Sequence, residues 1–141
     1  MGGLPYVSRD IYQWLYFIPS DITLALDEVL ETHTGQTVFT IKSFVLRNKI
    51  NPLSKFRFSY QYYRYGGTMY SYFNIYRNNI AIGTEVNTAS SSPITQSEDL
   101  TATNWQIGDI IALKCWGSAS DNVQGAQNFY IKGTGSQWEK L

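Results

Sequence analysis

Hydrophobic and polar positions alternate along most of the chain, and this alternation predicts β-strands, because successive side chains of a strand point to opposite faces. The clearest strand covers residues 55–65, where polar residues occupy most of one face. Its other face is aromatic and consists of Phe56, Phe58, Tyr60 and Tyr62. Further strands with high β-propensity are predicted over residues 37–46, 69–77, 80–86 and 127–133.

The segment W-Q-I-G-D-I-I-A-L-K-C-W, residues 105–116, predicts a turn that leads into a central strand. Gly108 and Asp109 provide the turn, because glycine adopts positive φ without steric cost and aspartate bonds to nearby backbone. Beyond the turn, Ile111, Leu113 and Cys115 share one face, which we expect to be fully buried. The opposite face carries Ile110, Ala112, Lys114 and Trp116 and is mixed in character.

The remaining segments are predicted from turn residues and from one ambiguous pattern. Residues 21–32 fit either a short helix capped by Ser20 and Asp21 or a strand, and the surrounding β-pattern favours the strand. Asn78 and Asn79 predict a tight hairpin turn, since asparagine tolerates the left-handed conformation that such turns need. Turns or loops are also predicted over residues 32–36, 48–54, 87–104 and 117–125.

About seven or eight short strands separated by turns predict an all-β, antiparallel β-sandwich of jelly-roll-like topology. A closed up-and-down barrel is the alternative, but the long loops favour the crossover connections of a sandwich. We expect residues 21–141 to form this single domain.

Residues 1–20 are predicted to be a separate N-terminal aromatic segment that acts as an assembly arm. Pro5 and Pro19 bound the segment and discourage sheet pairing at both ends. A strand pairing at a sheet edge is the other interpretation. The side chains expected to contact a partner are Tyr6, Tyr12, Trp14, Tyr16 and Phe17.

Three segments carry a resemblance to the jelly-roll domains of viral and phage virion proteins, and more widely to TNF/C1q-like jelly rolls. They are residues 42–60 with a proline turn, the hairpin I-Y-R-N-N-I-A-I-G-T at residues 75–84, and W-x-x-G-D-x-I-x-L at residues 105–113. The resemblance implies a structural or attachment protein of the virion, made in the host cytoplasm. It further implies association with itself or with other virion proteins, and it supplies no catalytic residue.

Composition restricts the other classes of function. Hydrophobic residues make up 43% of the chain and charged residues 16%, which is typical of a folded domain. The formal net charge is zero, so we expect no binding to nucleic acid. We also expect no signal peptide and no membrane span. Cys115 is the single cysteine and is expected to be a packed thiol.

Catalytic and metal-binding chemistry finds little support in the sequence. His33 is the only histidine, which excludes histidine-based triads and multi-histidine zinc sites. Residues 98–99 and 121–122 could share a calcium site or could cap turns, and capping is favoured because no calcium-loop spacing is present. We therefore predict no cofactor, no metal and no enzymatic activity.

A carbohydrate-binding, lectin-like β-sandwich is the alternative function. Aromatic residues make up 16% of the chain, and exposed rings of a β-sandwich stack on sugar faces. The same rings also suit a protein interface, where aromatic residues are enriched. The candidate ligand-binding side chains, aromatic rings with polar neighbours, are Arg57, Gln61, Tyr63, Tyr65, Tyr70, Tyr72 and Trp116.

Overall fold

The computed structural model describes residues 23–49, 56–100, 104–133 and 136–141, and all regular structure in these ranges is β-strand. No helix in the described ranges is long and apolar enough to cross a membrane. The eleven strands are β1 (Thr23–Asp27), β2 (Glu31–Thr34), β3 (Phe39–Lys49), β4 (Phe56–Gly66), β5 (Ser71–Arg77), β6 (Ile80–Ala81), β7 (Val86–Thr88), β8 (Ile94–Leu100), β9 (Ile110–Gly117), β10 (Val123–Gly133) and β11 (Ser136–Lys140).

The strands form two antiparallel sheets that pack as a sandwich. Sheet A has the order β1-β10-β4-β8, and β2 also pairs with β10. Sheet B has the order β11-β3-β9-β5-β6, and β7 also pairs with β5. From β3 to β5 and from β8 to β11 the chain passes to the other sheet at every connection, which gives interlocked Greek keys. The predicted jelly-roll-like sandwich is therefore confirmed.

The core lies between the inner faces of the two sheets. Sheet A contributes the predicted aromatic face of β4, together with Phe129 and Ile131 of β10, all at most 6% exposed. Trp105 lies between the sheets at one end, and its ring meets Phe56 edge-on with centroids 5.2 Å apart. Each such buried side chain contributes about 1.5–3 kcal/mol, so this interface holds the sheets together.

Strand β9 is the predicted central strand, because it lies between β3 and β5 in sheet B. The side chains of Ile111, Leu113 and Cys115 are completely buried, as the alternation predicted. Burial raises the pKa of the Cys115 thiol to about 12, since an apolar environment disfavours the thiolate. Cys115 is thus an unreactive packing residue.

The turn before β9 is held by the carboxylate of Asp109. It accepts hydrogen bonds from the backbone N–H of Gln106 at 2.8 Å and from the side-chain amide of Asn78 at 2.9 Å. It also pairs with the Arg77 guanidinium at 2.8 Å. Burial raises the pKa of Asp109, but these hydrogen bonds and the positive charge outweigh burial and hold the pKa below its ordinary value.

The hairpin at Asn78 and Asn79 is confirmed, with φ values of 49° and 67°. The prediction of one continuous return strand over residues 80–86 is wrong, because the strand is split into β6 and β7. Between β6 and β7, the N–H groups of Ile82 and Gly83 both donate to the carbonyl of Ile75. Two residues of the returning segment therefore lie opposite one residue of β5, as in a β-bulge.

Three predicted irregular segments contain strands. The loop predicted over residues 87–104 includes β8, the edge strand of sheet A, and the loop over residues 117–125 ends where β10 begins at Val123. The segment after residue 133 forms β11, although no strand was predicted there. Both β8 and β11 are edge strands with largely exposed side chains, so neither has the hydrophobic alternation that identifies a half-buried strand.

The ambiguous segment at residues 21–32 contains a strand, β1, as favoured, and the predicted turn at 32–36 starts too early because β2 extends to Thr34. Both strands pair with β10. The break between them faces a bulge in β10, where Asn128 has a φ of 52°. The N-terminal residues predicted for assembly, including Trp14, lie outside the described residues.

Candidate functional site

The outer face of sheet B carries a group of aromatic side chains, which we call the aromatic face: Tyr72, Tyr76, Lys114 and Trp116. Alternation along β5 turns Tyr72 and Tyr76 outward, because Phe73 and Ile75 are buried in the core. Along β9 the same alternation turns Lys114 and Trp116 outward.

Strand register brings Tyr72 and Trp116 together, because these two residues are directly opposite each other on β5 and β9. Their rings are almost parallel, with an interplanar angle of 6° and centroids 5.7 Å apart. Both side chains are only partly buried. Two neighbouring rings of common orientation therefore remain accessible from solvent.

Lys114 adds a positive charge beside these rings. Its ammonium group lies 4.9 Å from the centre of the Tyr76 ring, at a cation–π distance. The same group donates a hydrogen bond of 3.0 Å to the side-chain oxygen of Asn79 in the β5–β6 turn. An ammonium group has three donors, so this fixed cation retains hydrogen-bonding capacity toward a ligand.

The structure places four predicted ligand residues, Arg57, Gln61, Tyr63 and Tyr65, on β4 of sheet A, away from the aromatic face. The Arg57 guanidinium makes two hydrogen bonds to the carboxylate of Asp99 on β8. This arginine also holds the pKa of Asp99 below its usual value.

Gln61 is engaged in a similar way. Its side-chain oxygen accepts hydrogen bonds from the amides of Gln127 at 2.9 Å and Asn128 at 2.8 Å. Polar groups on this face are thus occupied by neighbouring side chains of the same sheet.

Tyr63 is only 8% exposed although it lies on the outer face of its sheet. It packs directly over Gly125 of β10, where an added Cβ would lie 3.1 Å from the tyrosine ring. Tyr65 meets Tyr63 edge-on at 5.9 Å and is 56% exposed. Sheet A therefore presents one accessible ring at this position, whereas sheet B presents a parallel pair.

Tyr70 lies just before β5 and is 49% exposed. Its backbone N–H donates to the hydroxyl of Ser118 and its carbonyl accepts from the Ser118 N–H, which holds the segment beside the end of β9. Of the predicted ligand residues, the structure thus brings Tyr72 and Trp116 into contact. Sequence reasoning did not select Tyr76 or Lys114, although the period of two along β5 and β9 already placed both beside them.

Two of the residues considered as metal ligands, Glu98 and His33, contact other groups of the protein. The Glu98 carboxylate accepts hydrogen bonds from the Thr84 N–H and from the Gln96 amide. The ring of His33 stacks on Phe39 with centroids 4.2 Å apart. Among the residues that the structure describes, no group of three or more His, Cys, Asp or Glu side chains is placed to hold a metal ion.

A polar cavity of about 450 Å³ lies at the end of the sandwich near the Asp109 turn. Arg77, Asn78 and Asp109 line it, and the first two donate hydrogen bonds to the Asp109 carboxylate. The charged groups of this cavity therefore stabilise the turn, and the aromatic face is the stronger candidate for ligand binding.

No protein-family model matches the chain, and no curated protein matches it. One similar solved structure is the CBM22-1 xylan-binding domain of Xyn10C from Paenibacillus barcinonensis, with a TM-score of 0.49, 7% identity, and coverage of 79% of this chain and 94% of that one. Another is the arabinose-bound MgGH51 α-L-arabinofuranosidase, with a TM-score of 0.47, 6% identity, and coverage of 79% and 27%. At these values neither likeness carries an argument about what this chain binds.

Proposed function

We propose that the chain is a non-catalytic binding module that recognises carbohydrate through the aromatic face of sheet B. The observation that carries this proposal is the parallel pair of partly exposed rings, Tyr72 and Trp116. A pyranose ring presents a face of C–H groups, and a flat aromatic surface of matching orientation removes that face from water. Each ring contributes apolar contact area in a geometry fixed by the sheet.

The polar neighbours of the rings suit the hydroxyl groups of a sugar. Small-ligand sites combine apolar contact area with a few placed polar groups. Here the Lys114 ammonium and the phenol group of Tyr76 supply such donors beside the rings. The site rests on two adjacent strands in the interior of sheet B, so ligand binding requires little reorganisation of the backbone.

The absence of catalysis is part of the proposal. Hydrolysis of a glycosidic bond ordinarily requires two carboxyl groups that flank the bond. The described residues of the aromatic face, Tyr72, Tyr76, Lys114 and Trp116, include no acid.

The test is a glycan array followed by titration of the best ligand with the full chain. We expect Trp116→Ala to weaken binding at least tenfold, which is about 1.4 kcal/mol. Tyr65→Ala is the matched control, because it removes an exposed ring from sheet A. Loss of binding in the Tyr65 variant with full binding in the Trp116 variant would place the site on the other sheet and contradict the proposal.

A self-associating virion module is the second candidate function. The observation that favours it is a group of exposed isoleucines near the Asp109 turn: Ile80 is 70%, Ile107 is 65% and Ile110 is 40% exposed. A hydrogen bond from the Asn78 N–H to the Ile110 carbonyl joins the β5–β6 turn, which precedes Ile80, to the start of β9. A contiguous apolar patch formed by these side chains would serve as an association surface.

Light scattering tests the second candidate. An oligomer that becomes a folded monomer when Ile107 is replaced by glutamate supports association through this end. A wild-type protein that remains monomeric at all accessible concentrations rules it out.

A further inference from the structure

Four charged side chains meet where the first strand of sheet A approaches the edge of sheet B: Asp27, Glu31, Lys42 and Lys140. Lys42 and Asp27 are the buried members, with side chains 0% and 1% exposed. Glu31 and Lys140 are 38% and 50% exposed and lie toward solvent. Two of the groups are acids and two are bases, so the cluster is formally neutral.

A β-bulge directs Lys42 into this cluster. The register between β3 and β9 shifts between Thr40 and Lys42, so that Ile41 is an extra residue and Lys42 faces the interior opposite Leu113. Bulges of this kind redirect side chains next to functional sites. The Lys42 ammonium donates to the Val29 carbonyl and lies 3.1 Å from Oδ1 of Asp27 and 3.3 Å from Oε1 of Glu31.

The second oxygen of Asp27 faces another cation. The ammonium of Lys140 on β11 lies 3.1 Å from Oδ2 of Asp27. The cluster thus places the Lys42 amine beside the carboxyl group of Asp27. Glu31 lies next to the amine, and the Lys140 ammonium contacts the other carboxyl oxygen of Asp27. This is the set of groups that acyl transfer requires: a nucleophile, a proton carrier and a stabiliser of oxyanion charge.

We propose that Lys42 and Asp27 condense within the folded protein to form an isopeptide bond between Nζ and Cγ. The bond would join β1 of sheet A to β3 of sheet B. It would replace a buried ion pair, whose desolvation is costly, by a neutral amide. Fixed proximity favours the reaction, since effective molarities of oriented groups reach about 10⁵–10⁸ M.

The reaction starts from an ammonium group and a carboxylate. Burial raises the pKa of Asp27, but hydrogen bonds and charges from Lys42 and Lys140 outweigh it and hold the pKa below its ordinary value. Proton transfer must therefore precede the bond. Glu31 takes one proton from the Lys42 ammonium and carries it to Oδ1 of Asp27.

The neutral amine then attacks Cγ, and Lys140 stabilises the negative charge that develops on Oδ2. A second proton moves from Nζ to Oδ1, the Cγ–Oδ1 bond breaks, and one water molecule leaves. The third proton stays on the amide nitrogen. Nothing is oxidised or reduced, and Glu31 and Lys140 return to their starting states. A cavity of about 170 Å³ lined by Glu31, Lys42 and Lys140 gives the water a path outward.

Mass spectrometry of the purified full chain tests the proposal. We expect the denatured protein to be lighter than its sequence by one water molecule. Asp27 and Lys42 lie on one tryptic peptide, residues 10–42, because no Lys or Arg separates Arg9 from Lys42. Acylation of Lys42 blocks cleavage after it, so digestion should give residues 10–47 as one peptide that is lighter than its sequence by one water molecule. A full sequence mass, with cleavage after Lys42 and residues 10–42 at their full mass, would overturn the proposal.

Variants identify the reacting groups. Lys42→Arg keeps the positive charge but has no amine, and Glu31→Gln cannot carry the proton, so both should show their full sequence masses. Glu139→Gln is the matched control for the second change, because Glu139 is an exposed acid of β11 that pairs with Arg47. The control should retain the lighter peptide of residues 10–47, and a loss of one water molecule that persists in Lys42→Arg would disprove the assignment.

Discussion

Replacing Asp109 by asparagine removes the negative charge that holds the turn before the central strand, with almost no change in volume. The wild-type carboxylate receives the Asn78 amide on one oxygen and both the Gln106 N–H and Arg77 on the other. Asparagine has one acceptor oxygen, so its NH₂ group must face at least one of these donors. Asn78 cannot turn over to compensate, because its own side-chain oxygen accepts the N–H of Ile110 at 2.8 Å.

We expect this substitution to lower the free energy of unfolding by about 2–4 kcal/mol at pH 7. A hydrogen bond to a charged group contributes about 1.5–3 kcal/mol, and a broken buried ion pair costs about 3–5 kcal/mol. The lower part of these ranges applies, because the Arg77 and Asp109 side chains are 19% and 9% exposed and water compensates in part. Arg77 also retains its contacts with the Trp105 ring and the Asn104 carbonyl.

The stability lost in Asp109→Asn should become smaller as the pH falls. The pKa of Asp109 is lowered in the folded protein, so its stabilisation is fully present above the unfolded value of about 4 and disappears as pH falls through the folded pKa. A protonated aspartate resembles asparagine in charge. The stability gap between wild type and Asp109→Asn should therefore narrow as the pH falls below the unfolded pKa of about 4.

Urea unfolding followed by tryptophan fluorescence at several pH values measures this gap. Asp121→Asn serves as the control, because Asp121 is an exposed acid in the β9–β10 connection and should change stability by less than about 0.5 kcal/mol. The reasoning is refuted if Asp109→Asn is as stable as wild type at neutral pH, or if the stability gap widens as the pH falls below about 4.

Leu113→Ala should destabilise the domain by about 2–5 kcal/mol, because it opens a cavity at a completely buried position, and chemical denaturation measures the loss. Native Cys115 should react with a thiol reagent at pH 8 only as fast as the protein unfolds, since burial raises its pKa to about 12; rapid labelling without denaturant would contradict this. Deleting residues 1–18 should convert an assembled protein into a folded monomer if the N-terminal segment is an assembly arm. Light scattering and thermal melting decide this, and a truncated protein that cannot fold assigns the segment to the domain itself.

Hydrophobic alternation predicted the strands that have one face in the core and missed two at the sheet edges, β8 and β11. Strand β4 was recognisable because its aromatic face is buried, and the asparagine turn after β5 was recognisable from local backbone preference. Strand β8 has apolar residues only at its ends, Ile94 and Leu100, since its place at the edge of sheet A requires little burial. No local pattern in residues 94–100 distinguishes such a strand from a polar loop.

The candidate sites depended on strand register, which the sequence does not contain. Tyr72 and Trp116 were both selected as exposed aromatic residues, but their contact follows from the pairing of β5 with β9. Lys42 occupies a position that reads as an ordinary polar residue of a half-buried strand. Its burial beside Asp27 results from a single-residue bulge, a tertiary feature without a sequence signal of its own.

The pairing of β1 with β10 also constrains when this protein can fold. Thr23 lies opposite Lys132, so nearly the whole described chain separates the two partners. The chain must lose the conformational entropy of closing this long loop before the contacts between β1 and β10 can stabilise it. Chains rich in such distant pairings fold in milliseconds to seconds. During synthesis, the backbone edge of β4 that pairs with β10 has no partner until β10 has been made. Sheet A therefore cannot form before β10 has been made, and the nascent chain is most prone to aggregate until then.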